Sequence, residues 1–207
     1  MTLLSAFLGF LVVGADAPAP RPAAAARPAP ARPGLSWAEA DSLSRKLAAI
    51  EEHHNRKAGQ LKPVPVTQSE VNSYLNLSYA SELPKGVSDV EVRFGRERIE
   101  AKGSVDLEQV KGKVQAPSSW SPLAFLSGQV PIELAGRLVN KDGFGTIELD
   151  TAYVANIRVP ISVVEQIVSS STRSEKRPDG FDIYAPFRLP YSVNRVRVEP
   201  GRAVLEF

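Results

Sequence analysis

The sequence predicts an α+β domain, a long coiled antiparallel sheet with helices packed on its apolar face. Three observations carry this reading: two helix-start signatures near the beginning, a change from helical to alternating hydrophobic spacing at Val90, and no strand–helix–strand alternation of the kind that builds parallel sheets.

The first helix is expected over Ser36–Lys57. Ser36 and Glu39 stand in the S/T-x-x-E relation of a capping box, Ala40, Leu43, Leu47, Ile50 and His54 recur at spacings of three and four, and Gly59 supplies a stop. A second helix is expected from Gln68 to about Ser81, after an extended segment that carries Pro63 and Pro65. Thr67 and Glu70 form another capping box, and Val66 with Val71 has the spacing of a hydrophobic staple. Capping thus accounts for most of the polar stretch VTQSEVNSYL, and only Asn72, Ser73 and Tyr74 are left without a duty.

From Val90 the period is two. Val90, Val92 and Phe94, then Ile99, Ala101, Gly103, Val105 and Leu107, alternate with charged and small polar residues around a turn at Gly95–Glu97. A second pair is expected from Val130, Ile132, Leu134 and Leu138, reversed at Lys141-Asp142-Gly143. It continues through Ile147, Leu149, Thr151, Tyr153, Ala155, Ile157 and Val159 as one strand of about 14 residues, well beyond the usual length. Ala152 and Val154 fall on the opposite parity, so both faces of that strand read as partly apolar. A short helix follows over Pro160–Ser171, and a last hairpin turns at Pro200-Gly201.

Ahead of the domain, Leu3–Val13 is an apolar run of signal-peptide length, so residues 1–15 are expected to be a signal peptide or an N-terminal membrane anchor. Residues 16–34 read as an Ala/Pro/Arg-rich tether with too little apolar content to fold, and residues 35–207 as a single domain. Export to the periplasm or cell envelope is the expected localisation.

Taking residues 1–34 away removes three arginines and Asp16 from 25 basic and 23 acidic residues, which leaves 22 of each. A domain without excess positive charge is a poor nucleic-acid binder. The chain has no cysteine, hence no thiol nucleophile or thiolate metal site. Its two histidines, His53 and His54, are adjacent on a helix, point about 100° apart and cannot chelate one ion together. No Ser-His-Asp or Cys-His pair and no phosphate-binding glycine loop is expected, so the sequence assigns no catalytic residue, metal or cofactor. Glu91, Glu100, Asp106, Glu148 and Asp150 alternate with apolar neighbours and belong to a solvated face with Arg and Lys partners.

The runs VTQSEVNSYL (66–75), PKGVSDVEVRF (84–94), RIEAKGSVDL (98–107) and RVRVEPGRAV (195–204) resemble the helix, hairpin and terminal strand pair of exported bacterial proteins of the LmeA phospholipid-binding family, themselves similar to tubular lipid-binding (TULIP) domains. The resemblance spans residues 64–207 and implies a helix lying in a strongly coiled sheet, with an acyl chain held in the groove between them. The chain is short for a full tubular module and residues 108–128 do not match, which implies a TULIP-like half module or a groove completed by a second copy.

An acyl groove leaves no catalytic motif, because each methylene removed from water contributes about 0.8 kcal/mol whatever the polar surroundings. The expected function is therefore non-enzymatic: binding or carriage of an apolar, lipid-like ligand between the sheet and the helices, with transient membrane contact. Candidate groove residues are Val71 and Leu75 on the second helix, Tyr153 and Ile157 on the long strand, Val164 and Ile167 on the third helix, and Trp120, Phe125 and Leu126 at the mouth. The alternative is a structural or interaction protein of the envelope with a closed core.

Overall fold

A computed structural model describes residues 33–56, 59, 61–83, 86–106, 108, 127–171 and 182–207. The expected leader, most of the tether and the loop bearing Trp120, Phe125 and Leu126 lie outside these residues. The described chain is α+β with antiparallel sheets.

Helix α1 spans Trp37–Asn55, with the Ser36 hydroxyl accepting from the Ala38 N–H. The expected box with Glu39 gives way to a tertiary bond: the Ser36 N–H donates to the Ser73 hydroxyl at 3.0 Å. Strand β1 (Val64–Thr67) leads directly into α2 (Gln68–Ser73), where the Thr67–Glu70 capping box is present in full. The helix does not continue regularly to Ser81. It widens into a π turn over Tyr74–Ser78, in which the Tyr79 N–H reaches the Tyr74 carbonyl at 2.9 Å, and tightens into a 3-10 turn at Ala80–Glu82.

Among the described residues the main sheet has six strands: β2 (Val87–Phe94), β3 (Ile99–Asp106), β4 (Gln129–Lys141), β5 (Phe144–Val154) and β6 (Ile157–Arg158) in sequential order, with β7 (Phe187–Arg188) pairing the start of β5. Helix α3 (Ile161–Ser171) follows β6. The closing hairpin, β8 (Arg195–Glu199) and β9 (Arg202–Glu206), does not join this sheet. It forms a separate three-stranded one in which β1 pairs β9, Val64 opposite Leu205 and Val66 opposite Ala203. The segment expected to be merely extended is thus a strand.

Register fixes the two faces of the main sheet. Val92, Ala101, Leu134 and Ala152 are successive cross-strand partners and all four are buried. One residue along, Glu91, Lys102, Glu133, Tyr153 and Arg158 form a polar row across five strands, with Lys102 Nζ 2.7 Å from Glu133 Oε1. The expected pairing of acidic residues on the wet face is seen at Glu91–Arg93, Glu100–Arg98, Asp150–Arg98 and Glu148–Arg137.

A register shift in β5 resolves the parity conflict noted above. Ala135 pairs Thr151 while Gly136 pairs Leu149, so Asp150 is the extra residue of a β-bulge. Beyond it, side chains exchange faces: Ala152 (0 % exposed) and Val154 (2 %) share the apolar face with Ile147 and Leu149. Tyr153, expected on that face, lies on the polar one. The strand also ends earlier than expected, because Ala155 and Asn156 both take left-handed backbone (φ 50° and 62°) and turn the chain back into β6.

Two cores result. The larger one joins α1, α2, the terminal sheet and β2 through Leu43, Ile50, Val66, Val71, Leu75, Val92, Phe94, Val196 and Leu205. The smaller one packs α3 on the far part of the main sheet through Val130, Leu134, Ala152, Val154, Val159 and Val164.

Candidate functional site: an amphipathic cleft at the sheet edge

The expected groove residues divide between the two cores. Val71 (3 % exposed) and Leu75 (1 %) are sealed in the larger core. Val164 is buried in the smaller one, and Ile167 lies one turn further along α3. Ile157 pairs Val154 across β6 and remains 42 % exposed, at the rim of the smaller core. Tyr153 stands on the opposite face between Glu133 and Arg158. Trp120, Phe125 and Leu126 fall outside the described residues.

Next to the smaller core, a cleft of about 340 Å³ opens between β5, β6 and the start of α3, lined by Asp150, Thr151, Ala152, Arg158, Val159, Pro160 and Ile161. Local structure explains its shape. The bulge at Asp150 twists the edge of β5, the left-handed turn at Ala155-Asn156 folds β6 back, and the Val159 N–H bonds the Ala152 carbonyl at 3.0 Å, which closes the floor. Pro160 then turns the chain into α3. Ala152, Val159, Pro160 and Ile161 supply apolar lining, and Asp150, Thr151 and Arg158 supply polar lining. Asp150 accepts from Arg98 through Oδ2 at 2.6 Å. Arg158 is exposed and makes no ion pair among the described residues.

Sequence reasoning placed Asp150 on the wet face and passed over Arg158. The available signal was a lone arginine just before Pro160, where an apolar strand gives way to a helix.

The remaining polar stretches are engaged structurally. Glu70 (3 % exposed) accepts from the Thr67 N–H at 2.8 Å and from the Ser42 hydroxyl, and pairs Lys46 at 2.7 Å. Burial alone would raise its carboxyl, but the bonds from Lys46, Ser42 and Thr67 together with the Lys46 charge outweigh burial and hold it below the ordinary carboxylate value. Gln68, Asn72 and Asn76, spaced by four, face the free edge of β2 and bond the Phe94 N–H, both backbone groups of Val92 and the Val90 carbonyl. The amide of the Asn76-Leu77-Ser78 sequon is therefore already committed.

The structure does create one serine–histidine contact that the sequence reading did not foresee: His54 Nδ1 lies 2.9 Å from the Ser192 hydroxyl. Both residues are exposed, and the Glu51 carboxylate acts on the Tyr191 phenol. Burial and that carboxylate push the Tyr191 phenol up to about 12. A nucleophile–base–carboxylate chain is not assembled here, and the contact docks the 190–193 turn onto the end of α1.

Among the described residues, no three His, Cys, Asp or Glu side chains are grouped to hold a metal, and no helix is long and apolar enough to cross a membrane. Comparison with family models, with curated proteins and with solved structures returns no match to this chain.

Proposed function

We propose that the protein binds or carries an apolar, lipid-like ligand, without catalysis, at the α3 end of the main sheet. The carrying observation is the cleft of about 340 Å³ whose apolar lining, Ala152, Val159, Pro160 and Ile161, adjoins the smaller core and leaves Pro160 and Ile161 accessible. The likeness of the runs 66–75, 84–94, 98–107 and 195–204 to LmeA-type, TULIP-like modules supports the same reading. The site differs from the one expected: the larger core around Val71 and Leu75 is filled by the protein's own side chains, so a ligand enters beside α3, against the smaller core. Burial of a few methylenes there, at about 0.8 kcal/mol each, gives measurable affinity without any polar specificity. The setting that goes with this reading is the bacterial cell envelope, reached by export, with transient membrane contact during loading.

The test is organic extraction of the purified full-length protein followed by mass spectrometry, together with titration of a fluorescent fatty acid. A co-purifying acyl species and saturable uptake that Ile161→Asp abolishes are the expected results. A protein that extracts empty and refuses the probe favours the second reading, an interaction protein with a closed core, for which the sealing of Val71 and Leu75 is the supporting observation.

A further inference from the structure

We propose that the cleft at the start of α3 selects a zwitterionic head group, one negative and one positive charge joined by a short linker, as in a phosphoethanolamine diester. The inference rests on the lipid-carrier reading for the tail and adds the chemistry of the head.

The cleft lining carries both signs of charge. Arg158 contributes a guanidinium with no ion-pair partner among the described residues. Its closest acidic residue along the polar row, two strands away, is Glu133, which is already taken by Lys102 at 2.7 Å. The first residue of α3, Ile161, lines the same cleft, so the positive end of that helix adds to the positive charge there. Asp150 lines the same cleft and is bonded by Arg98 through Oδ2, which leaves Oδ1 able to accept from an ammonium group. Thr151 adjoins it in the lining.

A purely anionic head satisfies Arg158 but sets a negative charge against Asp150, and a purely cationic head does the reverse. A zwitterion satisfies both. Pro160 and Ile161, the apolar lining residues that are not buried, then receive the first methylenes of a chain attached to the head.

Because both charged groups are solvated, each ion pair contributes modestly, and the expected discrimination is roughly two- to five-fold per charge. The experiment is calorimetric titration of the full-length protein with four monomeric ligands: dihexanoyl phosphatidylethanolamine, dihexanoyl phosphatidylglycerol, dihexanoylglycerol and tail-free glycerophosphoethanolamine. The ethanolamine lipid is expected to bind best. Arg158→Gln should weaken both phospholipids and leave dihexanoylglycerol unchanged. Asp150→Asn should erase the preference for ethanolamine over glycerol. Arg98→Gln, which breaks the same ion pair but keeps the acid in the cleft, should preserve that preference and so controls for altered folding. Equal binding of all three dihexanoyl compounds, unmoved by either cleft variant, overturns the head-group proposal and leaves lipid carriage standing. Binding of glycerophosphoethanolamine as tightly as the lipid keeps the head-group proposal and overturns carriage. Failure of all four ligands overturns both.

Discussion

The side-chain amide of Asn72 pairs with both backbone groups of Val92, accepting from its N–H at 2.7 Å and donating to its carbonyl at 3.0 Å. Val92 lies on β2, an edge strand whose free groups would otherwise pair with another chain. The device recurs at the other sheet: Asn140 on β4 accepts from the Val196 N–H and donates to its carbonyl, each at 2.8 Å, at the edge strand β8. In both places a side chain takes the position of the next strand.

This makes Asn72→Asp more damaging than Asn72→Ala. Alanine leaves two partly buried backbone groups unpaired, at a cost of about 1–3 kcal/mol, whereas aspartate keeps the acceptor but turns its second oxygen toward the Val92 carbonyl. Urea melts should rank wild type above Ala above Asp. Light scattering should show self-association in both variants as the β2 edge is uncovered. An Asn72→Asp protein as stable as wild type contradicts this account.

The Glu70 cluster sets an acid limit on stability. Its folded carboxyl is held below the ordinary value, which is about 4.3 for an unfolded glutamate. Because the folded value is the lower one, the contribution is fully present above about pH 5 and is lost as the pH falls through the folded value. Lys46→Met removes the main partner and leaves a buried carboxylate with Ser42 and Thr67 alone, a loss of about 2 kcal/mol or more at pH 7. Lys46→Met with Glu70→Gln should recover part of that loss and flatten the acid limb of a melting-temperature profile. An unchanged acid limb in the double variant would show that other carboxylates set the limit.

Gly136 is fixed by the bulge across from it. A Cβ built at that position comes 2.2 Å from the Glu148 carbonyl oxygen, a backbone atom that cannot move without breaking the register of β4 with β5. Gly136→Ala is therefore expected to cost about 2–4 kcal/mol, near the upper end for a single added methyl group. Deleting Asp150 in the same chain removes the extra residue, leaves Leu149, Thr151 and Ala152 as consecutive partners of Gly136, Ala135 and Leu134 with their faces unchanged, and should recover part of the loss. Thermal denaturation of the two proteins tests the link, and a Gly136→Ala protein that melts with wild type refutes it.

These cases show what the sequence could and could not reveal. The Thr67–Glu70 box, the alternation from Val90 to Val105 and the turn at Asp142-Gly143 are local, each decided within a few residues, and all were legible. Gly143, with φ of 79°, is the expected second residue of such a turn. The bulge at Asp150 was not legible, because apolar residues on both parities of one strand read equally as two apolar faces or as one face with an inserted residue. Strand β1 was missed because its partner β9 is more than a hundred residues away. The cleft escaped for a similar reason: Asp150 and Arg158 line one site only because Ala155, a residue that rarely takes left-handed backbone, begins the turn between them. Asn72 and Ser73, left without a duty in the capped stretch, have long-range ones, and Tyr74 has a local one. Asn72 bonds β2, Ser73 accepts from Ser36 of the α1 cap, and Tyr74 stacks on Tyr79 with ring centres 5.9 Å apart.

The turn at Tyr191-Ser192 separates a structural serine from a chemical one. Both residues hold left-handed backbone, φ 51° and 61°, without a glycine at either position, and the Ser192 hydroxyl contacts His54. Glycine at 192 relieves the backbone strain and removes the hydroxyl. If the contact only docks the turn, Ser192→Gly should be neutral or stabilise the protein by up to about 1 kcal/mol, while Ser192→Val should destabilise it by more than that. Fluorophosphonate labelling of the wild type gives the independent readout. With no carboxylate bonded to His54 among the described residues, no label is expected, and stoichiometric labelling that Ser192→Gly abolishes would establish a hydrolytic serine at this turn.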